Sequence, residues 1–371
     1  MCKKLCRIIM CLSKVVISLC FVYVVMNIAS TTKRTESASS PQIIPKNKVS
    51  LTHKPISSST SKPILSVTSK QKVSTVHTRQ STRVTRNTSN TTNPHSSHNK
   101  SDIMHIYEHP FSYLHVPVKV CTSNGATSDP FLLVVVKSDV NHIGHRMAIR
   151  STWGKPNLGL KFVYLLGYSP LLESFIQMET NLYSDILQET FIDDYRNNTI
   201  KTIMGFQWVA SHCASAKYVF FVDDDYIVNI KYLWDHVHRL YAAGQSSIFS
   251  GYLWKNAKVE RNKASKWYIS NEEYSEDVWP PYASGGSMLL SIDIVTKLSN
   301  TFKYVKPFFI DDTYIGVVVK MLGISLTHEA RFYPFYQPYR MNYLFSSHGF
   351  SSPIHLVDDW IQYHIKYDMV V

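Results

Sequence analysis

From residue 131 onward the chain alternates unbroken apolar runs with stretches whose apolar residues recur every three or four positions. The runs at 131–136, 160–166 and 217–222 are rich in Val, Phe, Leu and Tyr, which predicts strands buried on both faces. A further strand is predicted at 248–253. Between them, 142–153, 171–188, 199–216 and 230–243 read as helices. Ile203, Phe206 and Val209 share one face of the third, and Gly244 closes the fourth. A last helix starts after Phe309 and Ile310 and stops at Gly323. Strand and helix in alternation predict an α/β fold with a mainly parallel sheet flanked by helices. Ligands of such sheets gather at the carboxyl ends of the strands. The stretch 266–286, with its aromatics, acids and two prolines, is poor material for a core strand and reads as a loop.

Ahead of residue 105 the pattern is different. Lys3, Lys4 and Arg7 precede an apolar stretch at 8–29 broken by one charge, Lys14, whose long stem can snorkel to a membrane interface. This predicts a cytoplasmic tail at 1–7 and a signal-anchor at 8–29, with a cleaved signal peptide as the alternative. Residues 30–104 are mostly Ser, Thr, Lys, Asn and Pro. They bury too little to offset their ordering entropy, which predicts a disordered lumenal stem. Asn87, Asn90 and Asn197 head N-glycosylation sequons. Residues 105–371 remain for one large domain.

The formal charge of +12 changes little once located. Residues 1–110 carry 16 Lys/Arg against three acids, and residues 111–371 carry 23 against 24. The folded part is therefore nearly neutral and has no basic patch for a nucleic-acid backbone. Of the six cysteines only Cys121 and Cys213 lie in the folded part, and sequence leaves their pairing open.

Candidate chemistry begins where the 217–222 run meets Asp223, Asp224 and Asp225. Carboxylates leaving a core must be hydrogen-bonded, paired or metal-bound, and a divalent cation holding a diphosphate meets that need. Asp311 and Asp312 fill the first turn of the last helix. There one acid can cap and the other can project as a base. Arg146 and Arg150, one turn apart, either clamp phosphate oxygens or pair with surface acids. Trp267, Trp279, Tyr282, Gly285, Gly286 and Asp311 suit the wall of a sugar pocket. His348 is either a metal ligand or a surface histidine.

Several segments in order then carry a resemblance. They are Arg146-Met-Ala-Ile-Arg150-Ser-Thr-Trp153-Gly154, the stretch from Phe191 to Thr202, the strand before Asp223-Asp224-Asp225, Lys266-Trp267-Tyr268, Trp279 to Gly286, and Asp311-Asp312-Thr313-Tyr314-Ile315-Gly316. Together they resemble glycosyltransferase family 31, the Golgi β-1,3-galactosyltransferase and β-1,3-N-acetylglucosaminyltransferase family. The resemblance implies a GT-A-type nucleotide-sugar-binding fold, Rossmann-like, and a single-pass type II Golgi membrane protein. It implies Mn²⁺ on Asp225, Asp223 and His348, with Asp223, Asp224 and Arg146 or Arg150 toward the nucleotide, and Asp312 as catalytic base. The implied reaction is inverting transfer of galactose from UDP-galactose to a glycan 3-hydroxyl, with UDP-N-acetylglucosamine as the alternative donor. A lumenal lectin or chaperone is the alternative of another class. Ala283 stands where many members have cysteine.

Overall fold

The computed structural model describes residues 106–121, 129–157 and 159–367. The predicted tail, signal-anchor and stem, with Asn87 and Asn90, fall outside the described residues. Among the described helices none is long and apolar enough to cross a membrane.

Three apolar runs become the middle of the sheet. β2 (Leu132–Lys137) is buried along its whole length and pairs in parallel with β3 (Leu160–Tyr168) and β5 (Tyr218–Asp223). β3 pairs in parallel with β4 (Ile186–Ile192), and β1 (Tyr113–His115) closes that edge antiparallel. On the other side β8 (Tyr282–Ser291) runs antiparallel to β5 and to β7 (Phe249–Trp254), with β9 (Thr327–His328) beyond. The order is β1-β4-β3-β2-β5-β8-β7-β9. A small second sheet joins β10 (Phe332–Tyr333), β11 (Ser346–His348) and β6 (Tyr226–Val228).

Side chains alternate across a strand, so one run feeds two cores. Leu132, Val134 and Val136 face α1 (Ile143–Ser151), α2 (Glu173–Tyr183), α4 (Ile230–Ala242) and α7 (Pro353–Tyr367). Leu133 and Val135 face α3 (Asn198–His212), α5 (Ile292–Phe302) and α6 (Asp311–Leu322). The predicted parallel sheet with helices on both faces is present, and the predicted last helix ends at Gly323 with φ 63°. Cys121 and Cys213 form a disulfide that ties the end of α3 to the chain ahead of β2.

Two expectations need correction. The predicted helix at 171–188 ends at Tyr183, where Ser184 turns left-handed (φ 56°) and the chain enters β4. Ile186 and Leu187 gain a partner in β3, a pairing that helical spacing within the segment does not reveal. The supposed loop at 266–286 ends in the start of β8, deep in the sheet. Its small residues permit close approach: a Cβ on Gly286 would lie 2.2 Å from the Tyr226 hydroxyl. A Cβ on Gly285 would lie 3.0 Å from that of Asp312. Low strand propensity is here the consequence of what the strand touches.

Candidate active site

The carboxyl ends of β2 and β5 lie side by side, with Lys137 in register with Asp223. α6 starts across from them, and its first two residues face the same space. Lys137 bridges the elements, with its ammonium 3.0 Å from Asp223 Oδ1 and 2.7 Å from Asp311 Oδ2. Thr202 on α3 donates a second hydrogen bond to Asp311 Oδ2 at 2.8 Å. Burial opposes ionisation of Asp311, but Lys137 and Thr202 more than offset it and hold this carboxyl below its ordinary value.

Asp312 is treated differently. Its Oδ1 accepts from the Thr313 backbone N–H at 2.7 Å and its Oδ2 from Gly285 N–H at 3.4 Å. Among the described residues no cation pairs with it. Burial and then the Asp311 carboxylate push Asp312 up to about 7. Two adjacent acids thus hold unequal protons, and the lysine decides which.

Two adjoining cavities share Tyr195, Asn198 and Asp223. One is lined by Asp311, Asp312, Trp267, Gly285, Gly286 and His348. Lys137, Ser138, His142, Lys201, Asp224 and Asp225 line the other. Asp224 accepts from Ser138 Oγ at 2.6 Å and meets His142 Nδ1 at 3.0 Å. Burial would raise its pKa, but these contacts bring it below the ordinary value. The Lys201 ammonium pairs with Asp193 at 2.6 Å and also donates to the Ser138 carbonyl.

The donor set suits a divalent cation in one respect. Asp225 Oδ1 is buried with no hydrogen-bond partner, while Oδ2 lies 3.0 Å from His348 Nε2. A buried carboxylate oxygen left bare is costly unless something positive meets it. Among the described residues no three His, Cys, Asp or Glu side chains converge to hold a metal by themselves. One or two protein ligands completed by substrate phosphate oxygens is how small hard cations are commonly bound in phosphate-handling sites.

Other expected residues sit elsewhere. Arg146 is fully buried: Nε and Nη2 each donate to Glu179 at 2.9 Å, and Nη1 donates to Ser138 Oγ and the Asp139 carbonyl. Arg150 donates to Glu179 and Asp185 and lies between the Tyr164 and Tyr183 rings. Neither lines the two cavities, so the expected phosphate clamp does not fit this placement. The pair instead locks α1 to α2, and carboxylates supplied by α2 and by Asp185 satisfy both guanidiniums. Trp279 is 5% exposed and stacked on Tyr274 and Phe308, in a core and not at a sugar wall. Tyr282 rests on α6 at Gly316, outside both cavities.

Sequence reasoning missed Lys137, Thr202, Tyr195 and Asn198. Lys137 had a visible signal, because a lone lysine closes an otherwise apolar strand. Asn197 forms part of the short turn Tyr195–Asn197, where its side-chain amide donates to the Ile192 carbonyl.

A family model described as galactosyltransferase matches residues 144–330, half of the chain. The chain belongs to the galactosyltransferase family. The matched span holds the Asp223–Asp225 corner, Gly285–Gly286 and the Asp311–Asp312 turn, while Lys137 and His348 flank it. Beta-1,3-galactosyltransferase brn of Drosophila melanogaster is 35% identical over 67% of this chain and 79% of its own length. Beta-1,3-galactosyltransferase 2 of Homo sapiens is 29% identical over 71% of this chain and 65% of its own length. Among solved structures, the galactosyltransferase LgtC with donor and acceptor sugar analogs matches 62% of this chain and 95% of its own at 12% identity, with a TM-score of 0.35.

Proposed function

We propose that this chain is an inverting β-1,3-galactosyltransferase that moves galactose from UDP-galactose to the 3-hydroxyl of a glycolipid or glycoprotein glycan. The observation that carries this reading is Asp312, a carboxylate without a cationic partner, raised toward neutrality, in a cavity that Asp223 and His348 also line. The acceptor hydroxyl, within about 3 Å of Asp312, passes its proton to that carboxylate as its oxygen attacks the anomeric carbon. The bond from that carbon to UDP breaks on the opposite face, and its electron pair leaves with the diphosphate. Inversion asks for one base. Schemes with two working carboxylates would need Asp311 as well, and Lys137 and Thr202 already occupy it.

Asp225 and His348 are the residues that would hold Mn²⁺, which when bound supplies positive charge to the leaving diphosphate. Asp223 and Asp224 stand toward the nucleotide in the second cavity, where Lys201 and His142 supply the nearby hydrogen-bond donors. The fly and human relatives, both named beta-1,3-galactosyltransferases, support galactose and the β-1,3 linkage. The N-terminal pattern supports a type II Golgi membrane protein with residues 105–371 lumenal, glycosylated at Asn87, Asn90 and Asn197.

The test is UDP release by the full-length protein with UDP-galactose and with UDP-N-acetylglucosamine, over an acceptor array, with Mn²⁺ and with chelator. Mn²⁺-dependent transfer of galactose is expected. Transfer of N-acetylglucosamine alone would correct the donor, and glycan binding without UDP release would favour a lectin.

A further inference from the structure

An aromatic strip leads away from the cavity that holds Asp312. Pro334 lines that cavity, and the next residue, Phe335, leaves it with 47% of its surface exposed. Phe335 packs edge-on against Tyr252 (6.3 Å), Trp254 (6.1 Å) and Tyr333 (5.5 Å) between ring centres. Tyr252 and Trp254, both on β7, have ring centres 5.4 Å apart. β7 pairs with β8, which brings Ser284, Gly285 and Gly286 to the cavity.

Tyr252, Trp254 and Phe335 belong to neither hydrophobic core, and only Tyr333 joins the strip to one. The position of the strip is informative too. Ser284 and Pro334 line only the Asp312 cavity and not the one around Asp224, so the strip borders the side away from the nucleotide. Its chemistry narrows the occupant. The side chains that make up the strip, Tyr252, Trp254, Tyr333 and Phe335, are all aromatic. An acyl chain would ask for aliphatic surface. Rigid rings with polar tips suit the C–H face of a pyranose, leaving its hydroxyls to water.

We propose that Trp254 and Phe335, backed by Tyr252, form a stacking platform for the acceptor glycan, holding the sugar behind the one whose hydroxyl meets Asp312. The proposal rests on the transferase reading and adds the residues that hold the acceptor's second sugar.

The test compares matched acceptors ending in the same sugar: methyl β-N-acetylglucosaminide with N-acetylchitotetraose, and methyl β-galactoside with lacto-N-neotetraose. Full-length wild type should prefer the longer member of the pair it uses by about tenfold in kcat/KM. Phe335→Ala and Trp254→Ala should erase that preference through acceptor KM, leaving the donor KM and the short acceptor unchanged. Phe335→Tyr, which keeps the ring, should retain it. A wild type that uses short and long acceptors equally overturns the platform whatever the variants do. So does an equal loss on both acceptors. Absence of transfer to all four contradicts the transferase reading itself, and the platform with it.

Discussion

A single ammonium group divides the labour between two neighbouring acids. Lys137 and Thr202 fix Asp311 as an ionised, occupied group, and burial beside that charge leaves Asp312 the better proton acceptor near neutrality. Asp312→Asn should keep UDP affinity within about twofold and lower kcat by about 10²–10⁴, read by titration and by initial rates. Because the free carboxylate is the active form, wild-type kcat/KM should fall as pH drops below about 7. The same group affects stability with a definite sign. A carboxyl whose folded pKa of about 7 exceeds its ordinary value near 3.9 binds more protons folded than unfolded, so stability declines as pH climbs between those values. Asp312→Asn should therefore be more stable than wild type at pH 8 by about 1–3 kcal/mol, partial solvent access limiting the gain, and no more stable at pH 4. Denaturant melts at the two pH values measure this. The acids themselves were legible as the first turn of a helix. Which of them is free was not, because the deciding lysine lies 174 residues away in the chain.

At the scale of elements, the apolar runs were readable because burial on both faces leaves strands no other composition. β4 was misread because Ile186 and Leu187 satisfy helical spacing with the preceding segment, and only the β3 pairing overrules it. β8 was misread for the opposite reason: its glycines are dictated by Tyr226 and Asp312, not by strand preference. Gly286→Ala should accordingly destabilise by about 1–3 kcal/mol or displace Tyr226, with the lost stability measured by denaturant titration. The two arginines had two open readings, and pairing with acids holds, although the shared acid is buried and not at the surface as expected. Glu179 pairs with both of them at 0% exposure, so Glu179→Gln leaves two guanidiniums short of counter-charge. A loss of about 3–5 kcal/mol is expected in the same measurement, with donor KM affected only indirectly through the Ser138–Asp139 turn that Arg146 supports.

For the whole molecule, the candidate site draws on the ends of β2 and β5, the start of α3 and α6, the glycines of β8 and the turn around His348. No single stretch of sequence contains it, which is why ordered fragments carried the resemblance better than any one motif. Asn198, Lys201 and Thr202 stand at one end of α3, and the Cys121–Cys213 crosslink secures the other across 92 residues. Cys213→Ser should cost about 2–5 kcal/mol in denaturant midpoint experiments on unreduced protein. The practical outcome concerns preparation. Material made in a thiol-rich bacterial cytosol should accumulate as insoluble aggregate, whereas periplasmic or eukaryotic secretory hosts, or refolding with a glutathione redox pair, should return soluble enzyme.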